Sequence, residues 1–145
     1  MRQIAFALQF KGIVGPGADG KLQAKTSASS QAIKTVLGAS GIEASIESVA
    51  GDNATFESVA EISSDGCFVE SGAITYGKAG KVTFKTLGRG MGASPIDGVN
   101  RGAVVWEVTG GDGKLAGASG LISSTFTVDG SGQITDNHFA VLFLP

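Results

Sequence analysis

A glutamate and a histidine lie among apolar residues at alternating positions, and they are the candidate catalytic residues. Glu70 is in phase with residues that a strand would place on the same face: Phe68, Gly72, Ile74 and Tyr76. If that face points into the protein, desolvation raises the pKa of the carboxyl and makes Glu70 a candidate general acid or base. The alternatives are a position at a rim, or a pairing with Arg101 or a lysine.

His138 alternates with Phe139 and is in phase with Ala140, Leu142 and Leu144. On an inward face, its neutral imidazole is a candidate proton shuttle. The alternative is a surface or rim histidine beside a turn at residues 136–137.

Seven aromatic residues are candidates for contact with a bound molecule, because apolar and aromatic side chains line most small-molecule sites. They are Phe6, Phe68, Tyr76, Phe84, Trp106, Phe126 and Phe139. An inward Trp106 with a solvated Glu107 costs less free energy than the reverse arrangement. The Tyr76 hydroxyl either binds a ligand or belongs to a tyrosine of the core or rim.

Alternation of apolar and polar residues predicts the strands that position these side chains. The first strand has Ile4, Phe6, Leu8 and Phe10 on one face. Similar runs lie near residues 42–49, 54–62, 67–76, 81–86, 103–108, 122–128 and 139–143, with one more strand expected within 21–37. Residues 29–37 fit either a strand or one face of a helix behind a serine cap.

Asp-Gly pairs separate these runs, at residues 19–20, 65–66, 97–98, 112–113 and 129–130. This dipeptide favours type I′ hairpin turns. Eight or nine strands with such turns are typical of a barrel or a sandwich. We predict one all-β domain over residues 1–145, an antiparallel β-barrel of about eight strands.

The motifs for cofactors and metals are incomplete. Residues 15–21 have the glycine and lysine spacing of a P-loop, but Leu22 stands where a Ser or Thr must hold Mg²⁺, so a hairpin turn is favoured. The glycine loop at 88–92 lacks a surrounding βαβ unit. A zinc site is disfavoured because His138 and Cys67 are the only residues of their types. A Ser–His–Asp triad lacks the Gly-x-Ser-x-Gly elbow, and we expect no cofactor and no metal.

Charge and hydropathy limit the partners. The net charge is −2 and the lysines and arginines are scattered, so we expect no nucleic acid partner. No apolar run approaches the length of a membrane-spanning helix. The first ten residues alternate between large apolar residues and small or polar ones, which is typical of a strand, whereas a signal peptide has a longer continuous apolar stretch. We therefore expect no membrane association and a cytoplasmic protein. A single cysteine forms no internal disulfide.

The most distinctive segment is a strand, a glycine turn and a small-residue strand over residues 102–120, with a further strand-like run at 80–88. It resembles the late hairpin of allene-oxide-cyclase-like barrels, especially a bacterial family of unknown function that shares this barrel (DUF3224). The resemblance rests mainly on residues 70–145. It implies a calycin-like barrel of eight strands, often oligomeric, with an apolar lumen, and it carries no catalytic residue over to this chain.

Three functions are open to such a barrel. As a binding module, it holds a small apolar or partly polar metabolite in its lumen. The alternative is a cofactor-independent cyclase or isomerase for a hydrophobic substrate, in which Glu70 or His138 moves a proton. A structural role through a homo-oligomer is the third. Binding of a small hydrophobic molecule is favoured, since the sequence shows no acid–base pair.

Overall fold

The structure is a computed structural model that describes residues 1–145, apart from the side chain of Ser94. Over these residues, eleven β-strands contain most of the chain, and three short 3-10 helices lie in the connections. The strands are β1 (Arg2–Pro16), β2 (Leu22–Ala28), β3 (Gln31–Gly38), β4 (Gly41–Ser48), β5 (Ala54–Ile62), β6 (Cys67–Tyr76), β7 (Lys81–Thr86), β8 (Gly90–Ile96), β9 (Val99–Gly111), β10 (Ser119–Val128) and β11 (Gln133–Leu144).

Eight of these strands close into an antiparallel barrel. Around the ring they follow the order β1, β2, β5, β6, β7, β9, β10 and β11. The ring closes because β11 pairs with β1, from Arg2 opposite Leu144 to Ile13 opposite Gln133. Strand β8 lies beside β9 and also pairs with Cys67 and Phe68 at the beginning of β6. The prediction of an all-β fold with a barrel of about eight strands is confirmed.

Alternation along each strand decides which side chains enter the barrel. On β9, Val104 and Trp106 are buried whereas Val105 and Glu107 are exposed. The Glu107 carboxylate lies outside, 3.6 Å from the Lys85 ammonium. The prediction that Trp106 points inward and Glu107 is solvated is therefore confirmed.

Two of the five Asp-Gly pairs have positive φ at both residues, as a type I′ turn requires. They are Asp19-Gly20 and Asp97-Gly98. At the three other pairs the aspartate has negative φ, so the prediction of this turn type holds only in part. Residues 15–21 belong to the connection between β1 and β2, where Gly17 N–H donates to the Lys21 carbonyl at 2.8 Å. This segment is a hairpin turn, as its sequence favoured over a P-loop.

The ambiguous segment at 29–37 is a strand in the structure. Strand β3 occupies most of it and pairs with β4. Because β2 precedes β3, two strands lie where one was expected within 21–37. In the described part of the chain, β3 and β4 pair with each other and with no other strand. They form a hairpin outside the barrel.

The two ends of the barrel differ. At one end the 3-10 helix Gly113–Leu115 follows β9, and Leu115 is buried in the core together with Ala118 and Leu144. We call this the closed end. At the other end, which we call the mouth, the β1–β2, β5–β6 and β10–β11 connections surround an opening. None of the helices in the described residues is long and apolar enough to cross a membrane.

Gly12 on β1 lies where two strands approach closely. A Cβ at this position would clash with the Lys25 carbonyl and lie 2.7 Å from the Thr26 Cα, both of which are backbone atoms of β2. We expect Gly12→Ala to lower the free energy of unfolding by about 1–3 kcal/mol, as overpacking of a barrel wall does. Urea denaturation measures this change.

Gly15→Ala on the same strand is the matched control, because a Cβ there meets nothing within 4 Å. It is expected to change the free energy of unfolding by less than about 0.5 kcal/mol. Equal effects of the two substitutions would show that the close approach of β1 and β2 is not the cause.

Candidate binding site inside the barrel

A cavity of about 480 Å³ opens at the mouth of the barrel. Apolar side chains form most of its walls: Val14, Leu22, Ala24, Ala60, Ile62, Phe68, Phe126, Val128 and Ile134. Seven polar residues also line it. Asp65, Asn100 and Arg101 lie at the mouth, and four lie deeper: Ser58, Glu70, Ser124 and Asp136. On each of their strands these four are the lining residues furthest from the mouth. We call this set the polar floor.

Glu70 lies where strand β6 changes partners. Towards the closed end β6 pairs with β7 from Ser71 onward, and towards the mouth it meets β8 at Phe68. Between these two ladders, the Thr86 hydroxyl donates to the Glu70 carbonyl at 3.0 Å and accepts from the Glu70 N–H at 2.7 Å. The Thr86 side chain thus satisfies the backbone N–H and C=O of Glu70 at the point where β6 changes partners. These two hydrogen bonds fix the position of Glu70, whose carboxyl group enters the lumen.

Both carboxylate oxygens of Glu70 accept a hydrogen bond. The Ser58 hydroxyl donates to Oε1 at 2.5 Å, and Trp106 Nε1 donates to Oε2 at 3.1 Å. Burial raises the pKa of Glu70 from 4.5 to about 7, the Ser58 hydrogen bond opposes this rise, and the negative charge of Asp136 adds to it. The Trp106 hydrogen bond also lowers the pKa. At neutral pH both the protonated and the ionised form of Glu70 are therefore populated, so that its carboxyl group can give or accept a proton.

Asp136 has a similar pair of donors on the other side of the lumen. The Ser124 hydroxyl donates to Oδ1 at 2.5 Å, and His138 Nε2 donates to Oδ2 at 2.9 Å. Asp136 and His138 are 3% and 4% exposed. Nδ1 of His138 is buried without a hydrogen-bond partner in the described part of the chain. The tautomer with its proton on Nε2 therefore satisfies the most hydrogen bonds.

The two carboxyl groups come from opposite sides of the ring. Ser58 and Glu70 lie on β5 and β6, whereas Ser124 and Asp136 lie on β10 and β11, half-way around the eight strands. In each pair the serine precedes the carboxylate by 12 residues and lies on the neighbouring strand. The floor thus carries two similar serine–carboxyl pairs that border the same space.

A packed layer of rings lies on the closed-end side of the polar floor. It consists of Phe10, Phe56, Phe84, Trp106 and His138. The Trp106 ring centroid lies 4.6 Å from that of Phe84 and 5.0 Å from that of His138. We call this set the aromatic layer. Because one of its rings bonds Glu70 and another bonds Asp136, the layer holds both carboxyl groups in place.

The structure distributes the residues proposed from sequence over four places. Glu70, Phe68 and Phe126 line the cavity. Phe84, Trp106 and His138 belong to the aromatic layer behind the floor.

The remaining three lie away from the cavity. Phe6 and Tyr76 pack edge to face at the closed end, with ring centroids 5.4 Å apart. Burial raises the pKa of the Tyr76 hydroxyl, so the phenol stays protonated. Phe139 is 55% exposed on the outer surface, because it alternates with the inward residues of β11.

Two of the alternatives drawn from sequence are wrong. Glu70 is neither a rim residue nor paired with Arg101 or a lysine, since its carboxylate bonds Ser58 and Trp106 inside the barrel. His138 is not at the surface or rim, since it is in phase with the buried residues of β11. In both cases the apolar face that carries the polar residue turned out to be the inward one.

Sequence reasoning missed three of the four residues of the polar floor. Residue 136 was considered as part of a turn at 136–137, a segment that lies within β11 in the structure, and Ser58 and Ser124 were not singled out. The signal lay in β11, where Asp136 and His138 interrupt an otherwise apolar inward face at Ile134, Ala140 and Leu142. Two polar residues at such positions need partners from neighbouring strands.

The arrangement of Ser124, Asp136 and His138 differs from that of a nucleophilic triad. The Ser124 hydroxyl donates to Asp136, and Asp136 separates it from the imidazole that would have to activate it. Among the residues that the structure describes, no group of three His, Cys, Asp or Glu side chains is placed to hold a metal ion. The acid–base groups of the polar floor are the carboxyl groups of Glu70 and Asp136.

No family model matches this chain, and no curated protein or solved structure matches it either. The resemblance to allene-oxide-cyclase-like barrels and to DUF3224 therefore stays a prediction.

Proposed function

We propose that the barrel binds a small, largely apolar molecule in its cavity, with a polar group of that molecule against the polar floor. The observation that carries the proposal is the cavity of about 480 Å³, with apolar walls and polar groups at its inner end. This size and this distribution of groups are typical of small-molecule sites, in which a few polar groups orient the ligand.

The chemistry of the floor favours a ligand that donates hydrogen bonds. When ionised, a carboxylate is an acceptor only, and each oxygen has lone pairs beyond the one that its protein donor uses. A hydroxyl or amine of the ligand would donate to these lone pairs on Glu70 or on Asp136. Since Glu70 titrates near neutral pH, it also accommodates a ligand that accepts a hydrogen bond.

Cofactor-independent isomerisation or cyclisation of a hydrophobic substrate is the second candidate function, and the facing carboxyl groups favour it. One carboxylate removes a proton from a carbon of the bound molecule, and the other carboxyl group returns a proton to a different atom. The substrate keeps its number of protons, and proton exchange with solvent through the mouth returns each carboxyl group to its starting state, so that no cofactor is needed. Glu70 and Asp136 would be the catalytic residues, and His138 a positioning residue that acts through Asp136.

A cavity-filling substitution tests the binding site. Ala60→Phe places a ring among the lining residues and is expected to weaken binding of the neutral dye phenylnaphthylamine on the order of tenfold or more, a loss of about 1.4 kcal/mol. Dye fluorescence titration measures the affinity. Val59→Phe is the control, because Val59 is exposed on the outer face of the same strand. Unchanged affinity in Ala60→Phe would place the dye outside the cavity.

Native mass spectrometry of the protein purified from its own host identifies the natural ligand. We expect a retained small molecule in the unaltered protein and in Val59→Phe, and its loss in Ala60→Phe. If Glu70→Gln retains a molecule that the unaltered protein converts into an isomer, the catalytic function is supported. If that molecule stays unchanged with the unaltered protein, the barrel is a binding module. Retention by Ala60→Phe as well would contradict both functions.

A further inference from the structure

The hairpin of β3 and β4 presents an uncovered apolar face. Its register places Ile33 opposite Ile46 and Leu37 opposite Ile42, so these four side chains share one face. Leu37 and Ile42 are 76% and 77% exposed. Exposed apolar side chains that are contiguous and bordered by polar residues are a feature of interaction sites. We call these four residues the hairpin face.

The opposite side of the same hairpin is polar. It carries Lys34, Glu43 and Glu47 together with Val36. A two-stranded hairpin alone is marginally stable in water, and a third strand or an apolar surface must cover one face to hold it. The division into a polar and an apolar side therefore indicates which side is covered.

The barrel of the same chain carries a matching apolar surface on its outside. Val105, Leu121 and Phe139 are 38%, 47% and 55% exposed on β9, β10 and β11. They lie on three neighbouring strands: Ser123 of β10 stands between Val105 and Phe139 in the register, and Leu121 is two residues before Ser123 on the same face. Ala7 of β1 lies opposite Phe139. We call Val105, Leu121 and Phe139 the outer patch.

The hairpin begins beside this patch, at an edge of β1. The pairing of β1 with β2 starts only at Lys11, and at Gln9 the Gln31 side chain takes the place of a strand. The Gln31 amide oxygen accepts from the Gln9 N–H at 2.7 Å, and the Gln31 amide nitrogen donates to the Gln9 carbonyl at 3.3 Å. Gln9 is two residues from Ala7, which lies opposite Phe139 of the outer patch. The root of the hairpin, at Gln31, therefore lies near the outer patch of the same chain.

The area available decides between two ways of covering the hairpin face. Each eight-residue strand is about 26 Å long, and the pair is about 10 Å wide, which gives a face of about 260 Å². Hairpin against hairpin would bury only about 520 Å² in total, in the range of crystal contacts. If each copy lays its hairpin on the outer patch of the other, two such contacts form, and each buries about 260 Å² on both of its sides. The total buried area is then about 1,000 Å², the lower limit for a specific interface.

We propose that two copies of this chain form a symmetric dimer, in which the hairpin face of each copy packs on the outer patch of the other. A two-fold axis near the free edge of β1 brings each hairpin root beside the patch of its partner. The net charge of −2 per chain opposes this association little. The proposal does not depend on the cavity or on its ligand.

Sedimentation equilibrium of the whole protein tests the dimer. We expect a mass of twice 14.5 kDa for the unaltered protein at micromolar concentration. The double substitution Leu37→Glu and Ile42→Glu is expected to weaken dimerisation on the order of a hundredfold or more, since each of the two copies loses two buried aliphatic side chains. Val36→Glu on the polar side of the same hairpin is the control, and it leaves the dimer intact.

A second substitution tests the other half of the interface. Phe139→Lys in the outer patch is expected to give monomers, whereas Val69→Lys, an exposed position on β6 away from the patch, is not. Circular dichroism shows that each variant keeps its strands. A monomeric unaltered protein would overturn the proposal. So would a dimer that survives both the hairpin substitutions and Phe139→Lys.

Discussion

Replacing Trp106 by alanine is expected to lower the free energy of unfolding by about 3–5 kcal/mol, the range for truncation of a large buried aromatic residue. Trp106 is 1% exposed, and its ring contacts Phe56, Phe84 and His138 in the aromatic layer. The substitution leaves a cavity among these rings. It also removes the donor to Glu70 Oε2, which leaves a buried carboxylate oxygen without that hydrogen bond. Urea denaturation measures the loss.

Trp106→Phe separates the two causes. Phenylalanine keeps an aromatic ring in the layer but has no N–H, so it removes the hydrogen bond to Glu70 and only part of the packing. We expect a smaller loss than for alanine, and a larger loss at pH 8, where Glu70 is ionised, than at pH 5. If Trp106→Ala cost less than about 1 kcal/mol, the packed layer behind the cavity would be contradicted.

Stability is expected to fall as the pH rises from about 4.5 to about 7, because of Glu70. The pKa of this carboxyl is about 7 in the folded protein and 4.5 ordinarily. Between these values the folded state binds the proton more tightly than the unfolded chain does, so deprotonation favours unfolding. Below this window both states are protonated, and above it both are ionised. The difference corresponds to about 3 kcal/mol as an upper bound.

Glu70→Gln removes this titration and keeps the shape of the side chain. The variant is expected to show little of the decline between pH 5 and pH 8 and to be more stable than the unaltered protein at pH 8. Urea denaturation at several pH values measures both. Glu107→Gln is the matched control, because Glu107 is exposed on the outside and its loss leaves the decline intact. The same decline in Glu70→Gln would assign it to another group.

This pH dependence bears on the proposed site. A carboxyl that costs stability when ionised is the kind of group that proteins keep for a function rather than for folding. A ligand that donates a hydrogen bond to Glu70 would reduce that cost, so ligand binding and stability at pH 8 should rise together. Thermal unfolding with and without the retained molecule measures this link.

Several features of the molecule followed from the order of residues along the chain. Alternation predicted the strands because side chains of a strand point to opposite faces in turn, and this local rule holds whatever the neighbours are. It placed Trp106 and Glu107 on opposite faces, and the high free energy of a buried unpaired carboxylate chose between the two orientations correctly. The same reasoning grouped Glu70 with Phe68 and Tyr76.

The same reasoning left the positions of Glu70 and His138 open because it weighed each polar residue alone. A buried carboxylate is costly by itself, and a rim position therefore stayed an alternative for Glu70. In the structure Ser58 and Trp106, 12 and 36 residues away in the chain, supply the hydrogen bonds that make burial tolerable. Asp136 does the same for His138. Such partners depend on which strands are neighbours, and alternation carries no information about that.

The sequence by itself determined that this chain forms strands, which residues share a face on each strand, and that glycine-rich turns connect them. Only the tertiary structure decided that the faces with Glu70 and Asp136 both point inward and border one cavity. It also decided that β3 and β4 stay outside the barrel. The physical reason is that periodicity is a property of the local backbone, whereas closure of the ring and the register between distant strands arise from pairings across the whole chain.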